Sequence, residues 1–309
     1  MIQERIIWHG IQAARLRSED YEAVVVPGMG ANCVSLRHVP TGAELLRTPK
    51  DASALADAPN VYGLPLLFPP NRMEDGTYVF EGRRYTFPIN EPERHHHIHG
   101  MLSQTPFEAM GEGAWMFRAD GQHPYLQFPH PFTVIREYTL TPAGLRHTVT
   151  FINDGDQAFP LGTGIHAAFR VPEGNDARLA LPALREWVLD DARKLPTGEM
   201  IADSPLLRSL REGTLCPEKQ PLSALIACGP GPVFLTGSQG KFVCERDDYP
   251  FIMLWNGGGG AGFVCPEPQS WAINAPNLPL PWAETGMRAL RPGERATFTL
   301  ALRYLPARV

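Results

Sequence analysis

The sequence has no hydrophobic segment of the ~20 residues that a membrane-spanning helix requires, and its apolar run Phe251–Trp255 is far too short. It also has no excess of basic residues, because its formal net charge is −5 and its isoelectric point is about 6.1. This balance argues against nucleic acid or an anionic membrane as a partner. The first residues, MIQERIIWHG, lack a basic stretch followed by a long apolar one, so we expect no signal peptide and a soluble, cytoplasmic protein.

Cysteine is scarce, and its spacing carries no metal or disulfide signature. The five cysteines are Cys33, Cys216, Cys228, Cys244 and Cys265. Their number is odd and no two of them have C-x-x-C spacing, which argues against both a disulfide framework and a zinc knuckle. We therefore expect reduced thiols, as is usual for a cytoplasmic protein.

Long helical patterns are also few. The 309 residues include 31 prolines and 29 glycines, and proline at about twice its usual share means many turns. Between the turns lie short segments with period-two alternation: in RHTVTF, for example, His147, Val149 and Phe151 share one face. This pattern predicts an all-β fold, an antiparallel β-sandwich or barrel, in one domain over residues 1–309.

Individual elements can be placed along the chain. A helical turn is expected in residues 49–60, and a hairpin should pair residues 78–80 with 84–86. Asn256-Gly257 and the glycines that follow predict a second hairpin. In the less regular region 172–222, the segment LREWVLDDARKL fits a helix and a strand with a turn equally well. Strands are expected in residues 4–10, 13–17, 22–26, 32–38, 114–119, 132–140, 145–153, 161–169, 233–237, 241–246, 251–255, 261–265 and 296–304.

The segment 62–100 joins an apolar stretch to several polar groups. Its first part, YGLPLLFPP, leads to Asn71 and Arg72, and its last part has four histidines within residues 95–99. An arginine after an apolar wall favours a buried guanidinium fork that holds hydroxyl oxygens. In a strand, every second one of these histidines would share a face, so a metal site is one alternative. Because no carboxylate or cysteine lies at ligand spacing, we expect no metal.

Two titratable residues lie in contexts that suit acid–base chemistry. Glu267 stands between prolines in CPEPQ, so the chain is extended and stiff there and the carboxylate has a fixed direction. The alternative is a surface glutamate in a proline-rich turn. His166, in GTGIHAAF, has small and apolar neighbours. It is either a core histidine with satisfied hydrogen bonds or a half-buried imidazole that acts as a general acid near neutral pH.

Three motifs, in this order, resemble those of the aldose 1-epimerases, or galactose mutarotases: FPPNRMEDGTYVFEGRRYTFPIN followed by HIHG, then GTGIHAAF, then FVCPEPQSW followed by NAPNL. The resemblance implies a large antiparallel β-sandwich, the galactose mutarotase-like supersandwich, with a sugar cleft on one sheet. It further implies that Glu267 is the general base and His166 the general acid. His99 and Arg72 would bind the sugar.

The chain departs from the family pattern at one place. Many members carry an aspartate before a strand near residues 222–227, where this chain reads QPLSALIACG. Asp247 and Asp248 lie further along; neither corresponds in position to that aspartate, and Asp247 is counted among the candidates for substrate binding. Asn71, beside Arg72, is another candidate for substrate binding, and Trp255 is a candidate to stack on the apolar face of the sugar.

The resemblance implies an isomerase that interconverts the α and β anomers of a free aldose such as glucose or galactose, without a redox step or a cofactor. A small-molecule sugar would be the partner of a monomer or a homodimer. Two alternatives stay open. A hexose-phosphate epimerase or another sugar isomerase on the same fold needs a basic cluster, for which Arg83, Arg84 and Arg94 are the candidates. A non-catalytic sugar-binding protein would not need both Glu267 and His166.

Overall fold

The computed structural model describes residues 1–172 and 176–307. Outside the described residues lie 173–175 and 308–309. The predicted single domain includes both ranges, and the less regular region 172–222 includes the first. The strands are β1 (Ile2–Trp8), β2 (Ile11–Arg17), β3 (Tyr21–Val26), β4 (Asn32–His38), β5 (Ala43–Glu44), β6 (Leu66–Leu67), β7 (Arg72–Glu74), β8 (Thr77–Phe80), β9 (Arg83–Thr86), β10 (His96–Ile98), β11 (Glu108–Gly111), β12 (Ala114–Ala119), β13 (Phe132–Thr141), β14 (Gly144–Asn153), β15 (Phe159–Pro160), β16 (Gly164–Ile165), β17 (Phe169–Arg170), β18 (Arg178–Ala180), β19 (Ala183–Leu189), β20 (Pro196–Ile201), β21 (Ser223–Cys228), β22 (Val233–Gly237), β23 (Gly240–Asp247), β24 (Phe251–Trp255), β25 (Phe263–Gln269), β26 (Ala289–Leu290) and β27 (Arg295–Pro306).

The helices are few and short. They are α1 (Ala52–Asp57), α2 (Pro205–Glu212) and α3 (Trp282–Thr285), with single 3₁₀ turns at Leu102–Gln104 and Ala275–Asn277. With 48% strand against 8% helix, the structure confirms the expected all-β fold. Within the described ranges, no helix has the length and apolar character needed to cross a membrane.

Two eight-stranded antiparallel sheets form the body of the sandwich. The first large sheet has the order β11-β12-β13-β14-β27-β23-β22-β18. The second large sheet has the order β20-β19-β21-β24-β25-β16-β6, and β17 adds to it by pairing with β25. The N-terminal strands form a separate antiparallel sheet in the order β1-β2-β3-β4-β5. Short pairs β7-β10, β8-β9 and β15-β26 complete the strand pairing.

The main hydrophobic core lies between the two large sheets. Phe151, Phe298 and Leu300 enter it from the first sheet, and Ile252 and Val264 enter it from the second. The first three residues confirm the period-two faces predicted for β14 and β27, because alternate residues of a strand point to opposite sides of the sheet. On the second sheet, the same alternation leaves another set of side chains on the face away from this core.

Several local predictions are confirmed. Helix α1 lies within residues 49–60, and β8 pairs with β9 so that Tyr78 faces Tyr85. The segment after Asn256-Gly257 does return as β25 to pair with β24, although through a longer loop than a two-residue turn. The ambiguous segment LREWVLDDARKL contributes most of β19 followed by a turn, so the strand interpretation holds there.

All five cysteines are buried. Cys244 lies in the core between the large sheets, whereas Cys265 lies on the opposite face of the second sheet. Burial raises the pKa of the Cys244 thiol to about 12 and raises that of Cys265 well above its ordinary value. Because the thiolate is the reactive form, both thiols are chemically quiet in the folded protein.

A buried arginine ties the segment before β6 to the first large sheet. Arg136 on β13 is fully buried, and its guanidinium donates to the carbonyl oxygens of Gly30, at 2.6 Å, and Leu64, at 2.7 Å. Its Nε donates to Nε2 of His147 at 3.2 Å, so Nε2 must carry no proton and the imidazole is neutral. Burial and the Arg136 charge together hold the pKa of His147 well below its usual value.

We expect the melting temperature to fall as the pH is lowered from about 6.5 to about 4. An unfolded histidine binds a proton below its ordinary pKa, whereas folded His147 stays neutral, and burial lowers the pKa of His130 to about 4. As the pH falls, the unfolded state therefore binds protons that the folded state does not bind, and the free energy of unfolding decreases. Thermal unfolding followed by circular dichroism between pH 4.5 and 7.5 measures the effect. In His147→Gln, whose amide oxygen can still accept from Arg136, the drop should be smaller, and a melting temperature that is constant in wild type would contradict the expectation.

Candidate active site

The second large sheet has a gap beside β25, and the two predicted catalytic residues face each other across it. Strand β16 pairs with β25 at Gly164↔Gln269, and β17 pairs with it at Phe169↔Val264. The residues between β16 and β17, which include His166, therefore lie opposite the middle of β25. There the Nε2 atom of His166 lies 3.1 Å from Oε1 of Glu267.

The prolines around Glu267 fit this interrupted ladder. Pro266 and Pro268 pair with β24 on one side, but on the other side they fall between the short contacts to β16 and β17. Proline has no N–H to donate, so it is tolerated where one edge of a strand lacks a continuous partner. Glu267 alternates with Val264 of the core and so projects from the opposite face of the sheet. The expected stiff segment with a fixed carboxylate direction is thus present.

Both members of the pair are nearly inaccessible to solvent: Glu267 is 2% exposed and His166 is 4% exposed. The buried side chain of Gln269 donates from Nε2 to Oε2 of Glu267 at 3.1 Å. Burial raises the pKa of the Glu267 carboxyl well above its usual range and lowers the pKa of His166 to about 4. The sequence left both a core histidine and a half-buried imidazole open for His166, and the structure shows a buried side chain.

The two pKa shifts together describe a pair that holds one proton. A neutral imidazole beside a protonated carboxyl, and an imidazolium beside a carboxylate, contain the same number of protons and have no net charge. Burial penalises each isolated charge, so the pair keeps this single proton over a wide range of pH. An acid and a base in direct contact can thus exchange a proton without drawing one from solvent.

His99 lies next to the pair because of a turn that only glycine permits. Gly100 has φ of +64°, and a Cβ there would come within 1.8 Å of the carbonyl oxygen of Phe68. The ring of His99 meets that of His166 edge to face, with centroids 5.2 Å apart. Burial, followed by the charges of His166 and Arg72, holds the pKa of His99 well below its usual value. A neutral His99 offers one donor and one acceptor to a hydroxyl group.

Arg72 is held by a partner that the sequence did not reveal. Its Nε and Nη2 donate to the two carboxylate oxygens of Glu91, each at 2.8 Å, and this forked pair is mostly buried. Arg94 donates to the same carboxylate at 3.0 Å. Arg72 and Glu91 are 19 positions apart with no spacing signal between them, so only the tertiary structure shows the pair. The remaining guanidinium donors of Arg72 are fixed in direction by this contact.

Arg72→Ala should raise KM about tenfold or more and change kcat less, because a fixed guanidinium that holds hydroxyl oxygens binds ground state and transition state alike. Initial rates over a range of sugar concentrations separate the two constants. Glu91→Gln keeps the guanidinium but weakens its support, so it should raise KM in the same direction by a smaller factor. An unchanged KM in Arg72→Ala would place this side chain outside the sugar contact.

Of the other three predicted binding residues, Trp255 and Asn71 lie next to residues of the candidate site, whereas Asp247 does not. Trp255 lies beside the pair, with its ring centroid 5.7 Å from that of His166. Asn71 is close in sequence to Arg72 but is buried, and its Oδ1 accepts from the backbone N–H of Arg72 at 2.9 Å, which gives it a local structural contact. Asp247 is exposed at the end of β23 in the first large sheet.

The structure does not bring Asp247 to the other candidates. It lines a surface depression with Arg246, Asp248 and Ser270, and that depression contains neither His166 nor Glu267. The position expected from the family pattern lies instead on β21, whose residues Ser223 and Leu225 pair with Trp255 and Met253 of β24. Glu267 pairs with Met253 of β24, and Met253 pairs with Leu225 of β21. Directly paired residues project from the same face of a sheet, so the position on β21 in line with Glu267 is apolar.

The alternating strand of histidines that the metal-site alternative would require is not formed. Strand β10 covers only residues 96–98, and His95 and His99 both have positive φ, 57° and 66°. His95 points to Asp75, whereas the Nδ1 of His97 contacts the carbonyl oxygen of Pro88 at 2.7 Å. The turns at both ends of the short strand therefore send these imidazoles in different directions. In the described ranges no group of three or more His, Cys, Asp or Glu side chains is arranged to hold a metal ion.

Activity should survive exhaustive treatment with EDTA, because the histidines near the site contact protein groups or one another. Enzyme dialysed against chelator and assayed in metal-free buffer should keep its kcat/KM within about twofold of the untreated value. A loss that added zinc or nickel restores would contradict this, and His97 and His99 would then be the first ligands to replace.

The fold and the site together define a class, and comparisons with known proteins agree with it. The chain is similar to a galactose mutarotase-like protein of Clostridium acetobutylicum, with 29% identity, a TM-score of 0.92, and 99% of this chain and 98% of that chain covered. It also has the fold of a galactose 1-epimerase from Lactobacillus acidophilus NCFM, with 13% identity, a TM-score of 0.74 and all of both chains covered. The structure is therefore a galactose mutarotase-like β-sandwich.

The family model for aldose 1-epimerase matches residues 12–303. The chain belongs to the aldose 1-epimerase family. Among curated proteins it is similar to the uncharacterized protein YihR of Escherichia coli strain K12, with 27% identity over 186 residues. That alignment covers 58% of this chain and 58% of YihR.

Proposed function

We propose that the protein is an aldose 1-epimerase, or mutarotase, that interconverts the α and β anomers of a free aldose such as glucose or galactose. Glu267 is the general base and His166 the general acid. The observation that supports this most directly is the contact of 3.1 Å between Nε2 of His166 and Oε1 of Glu267 at a buried site. Both residues stand in the sequence motifs GTGIHAAF and FVCPEPQSW, which resemble those of the aldose 1-epimerases.

The reaction needs a base and an acid that are close together. Glu267 takes the proton of the C1 hydroxyl while His166 gives a proton to the ring oxygen. The bond between C1 and the ring oxygen breaks, and C1 becomes an aldehyde carbon. After rotation about the C1–C2 bond, the hydroxyl formed from the ring oxygen attacks the other face of the aldehyde, and the two residues exchange roles. Because the C1 hydroxyl and the ring oxygen are bonded to one carbon, a base and an acid in contact with each other suit this chemistry.

The single proton of the pair is also what the first step requires. The reactive form has a carboxylate at Glu267 and an imidazolium at His166. The donor from Gln269 to Oε2 of Glu267 favours the carboxylate, and the charge of Arg72 acts in the same direction. A bound sugar offers a hydroxyl to the carboxylate and a ring oxygen to the imidazolium, so it replaces the contact that the two residues make with each other.

The partly exposed side chains around the buried pair are the binding groups in this proposal. The rings of His99 and Trp255 both lie against that of His166, and the charge of Arg72 acts on Glu267. His99 and Arg72 supply hydrogen bonds to hydroxyl groups, and Trp255 supplies an apolar surface for the ring carbons. The reaction involves no oxidation or reduction, so the proposal includes no cofactor.

The hexose-phosphate alternative is not favoured by the cations first considered for it. Arg94 is paired with Glu91 and Glu93, and the Nη1 of Arg84 donates to Thr77 at 3.2 Å. Arg83 contacts the side chain of Gln157 at 3.0 Å. The contacts of Arg83 and Arg84 are exposed and that of Arg94 with Glu91 is partly buried, so each arginine has its own partner and the three do not form one basic cluster. A non-catalytic sugar-binding role would leave the contact between a buried base and a buried acid without purpose.

Polarimetry of freshly dissolved α-glucose and α-galactose, run beside calorimetric titration with each sugar, tests the proposal. Faster approach to anomeric equilibrium than the buffer alone supports a mutarotase. Binding without acceleration would favour a sugar-binding protein, and the absence of both would remove free aldoses as ligands. A heat-denatured sample controls for catalysis by buffer ions.

Our proposal extends to the surroundings of the enzyme. A small-molecule sugar is its partner, nucleic acid and membranes are not, and it works in the cytoplasm as a monomer or a homodimer. The acidic net charge of −5 supports the exclusion of polyanionic partners. Sedimentation at several protein concentrations tests the oligomeric state.

A further inference from the structure

One cation beside the catalytic pair has no role in the mechanism above. The backbone N–H of Arg47 donates to the carbonyl oxygen of Ala168 at 2.8 Å, and its own carbonyl accepts from Gly63 at 3.1 Å. Ala168 is two residues from His166, on the segment that spans the gap beside β25. Arg47 is therefore anchored to the backbone that carries the general acid.

The guanidinium of Arg47 is held between two aromatic rings. Its Cζ lies 3.8 Å from the centroid of Phe263 and 4.5 Å from that of Tyr62, and Nη1 donates to the carbonyl oxygen of Val61 at 3.1 Å. Phe263 begins β25 and shares a face with Glu267, four residues later. Stacking leaves the edge of a guanidinium free, so most of its five N–H donors stay available.

An aromatic wall joins this cation to the catalytic pair. The ring of Trp255 lies 5.5 Å from Phe263 and 5.7 Å from His166, centroid to centroid. Successive contacts thus link Arg47 through Phe263 and Trp255 to His166, and Arg47 and Trp255 are the partly exposed members of this row. A sugar whose C1 lies at the pair and whose ring lies on Trp255 would point its far end towards Arg47.

Arg47 differs from the other arginines near the site in its charge balance. Arg72 and Arg94 share Glu91, and Arg193 contacts Glu74 and Asp75. Arg47 has no carboxylate within ion-pair distance in the described part of the chain. Its positive charge lowers the pKa of His166 and opposes the effect of burial on Cys265, so its field reaches the site.

An unbalanced cation near a general acid works against a neutral substrate. His166 must be protonated to donate to the ring oxygen, and a positive charge nearby disfavours the imidazolium. A negative group bound at Arg47 would cancel that charge and restore proton affinity to His166. The arrangement is thus unfavourable with an uncharged sugar and favourable with an anionic one.

We infer that the preferred substrate is an aldose that carries an oxyanion, a carboxylate or a phosphate, at the end remote from C1, and that Arg47 binds this group. The planar fork of a guanidinium matches both oxyanions. The inference rests on the proposed function and names its substrate class. It is independent of Arg83, Arg84 and Arg94.

The test compares anomerisation of glucose, glucuronate and glucose 6-phosphate at low ionic strength by wild type, Arg47→Gln and Arg47→Lys. In wild type, kcat/KM for at least one anionic sugar should exceed that for glucose by about tenfold to a hundredfold, the usual effect of a charged hydrogen bond. The better of the two anions tells carboxylate from phosphate. Arg47→Gln should lose most of this ratio and Arg47→Lys should keep part of it.

The ratio between substrates separates binding of the anion from damage to the fold, because damage lowers the rates for all three sugars alike. Arg146→Gln, which removes one exposed charge from β14 in the first large sheet, is the matched control and should leave the ratio unchanged. Equal kcat/KM for charged and neutral sugars in wild type would overturn the inference and leave the mutarotase proposal intact. Equal losses for all three sugars in both Arg47 variants would also overturn it. If no sugar is turned over, the proposed function fails, and calorimetric binding of the anionic sugars to the same variants decides the role of Arg47.

Discussion

Glu267→Gln is expected to lower kcat by about 10²–10⁴ while leaving sugar binding largely intact. The amide has the shape of the carboxylate and keeps one acceptor oxygen, which can still accept from Gln269. It cannot take a proton from the C1 hydroxyl at neutral pH. In wild type the carboxylate lies 3.1 Å from His166 in a buried site, so water has little access to replace it as the base. Polarimetric rates and calorimetric affinities measured on the same preparation separate the two effects.

Glu245→Gln is the matched control for this variant. Glu245 is an exposed residue of β23 that pairs with Arg303 at 2.8 Å, so the same chemical change occurs far from the gap beside β25. Its turnover should equal that of wild type. If Glu267→Gln kept more than about a tenth of wild-type turnover, the loss would be smaller than a general base supplies. The carboxylate would then be structural, and a different residue at the gap beside β25 would have to supply the base.

His166→Asn is expected to lower kcat by a similar factor of about 10²–10⁴, because the ring oxygen loses its proton donor. Asparagine keeps a polar group at the site but does not titrate. Burial lowers the pKa of the imidazole to about 4, so the protonated form needed for catalysis depends on the proton shared with Glu267. The rate constant kcat, measured with saturating sugar, reports this loss.

The double variant of Glu267 and His166 distinguishes a coupled pair from two independent contributors. Base and acid act in one step, so removing the second group should cost far less than removing it alone. The combined loss should fall well short of the product of the single losses. A combined loss equal to that product would mean that the two residues act in separate steps, and full activity in His166→Asn would return this residue to the role of a core histidine.

The sequence was most informative where a short-range pattern decides the structure. Period-two alternation found β14 and β27, and the prolines around Glu267 predicted a stiff segment with a fixed side-chain direction. The pairing of His166 with Glu267 came from the family resemblance, because the two are about a hundred positions apart and meet only through the register of β16 and β17 on β25. The contact of Arg72 with Glu91 is of the same tertiary kind.

The sequence carries the boundary signals of helix α2, from which the helix could have been predicted. Ser204 caps its first turn by accepting from the N–H of Leu207, Pro205 occupies the first helical position, and Gly213 ends the helix with φ of 67°. Serine before proline and glycine after the last turn are ordinary helix boundaries. The histidine group carried no comparable signal: positive φ at His95 and His99 breaks the alternation that a strand through both residues would have, and the sequence does not announce it.

The buried thiols of Cys244 and Cys265 can report how often two different parts of the protein open. Cys265 lies on the face of the second large sheet that holds Glu267, whereas Cys244 lies in the core between the large sheets. A thiol reagent reacts with each only when the surrounding structure opens, and regions of a protein open with different free energies. The ratio of the two labelling rates in the native state therefore separates loosening around the gap beside β25 from global unfolding. A bound sugar would oppose opening around the gap and would also stabilise the native state against global unfolding, so ligands could be ranked by how much they slow the labelling of Cys265, without any assay of turnover.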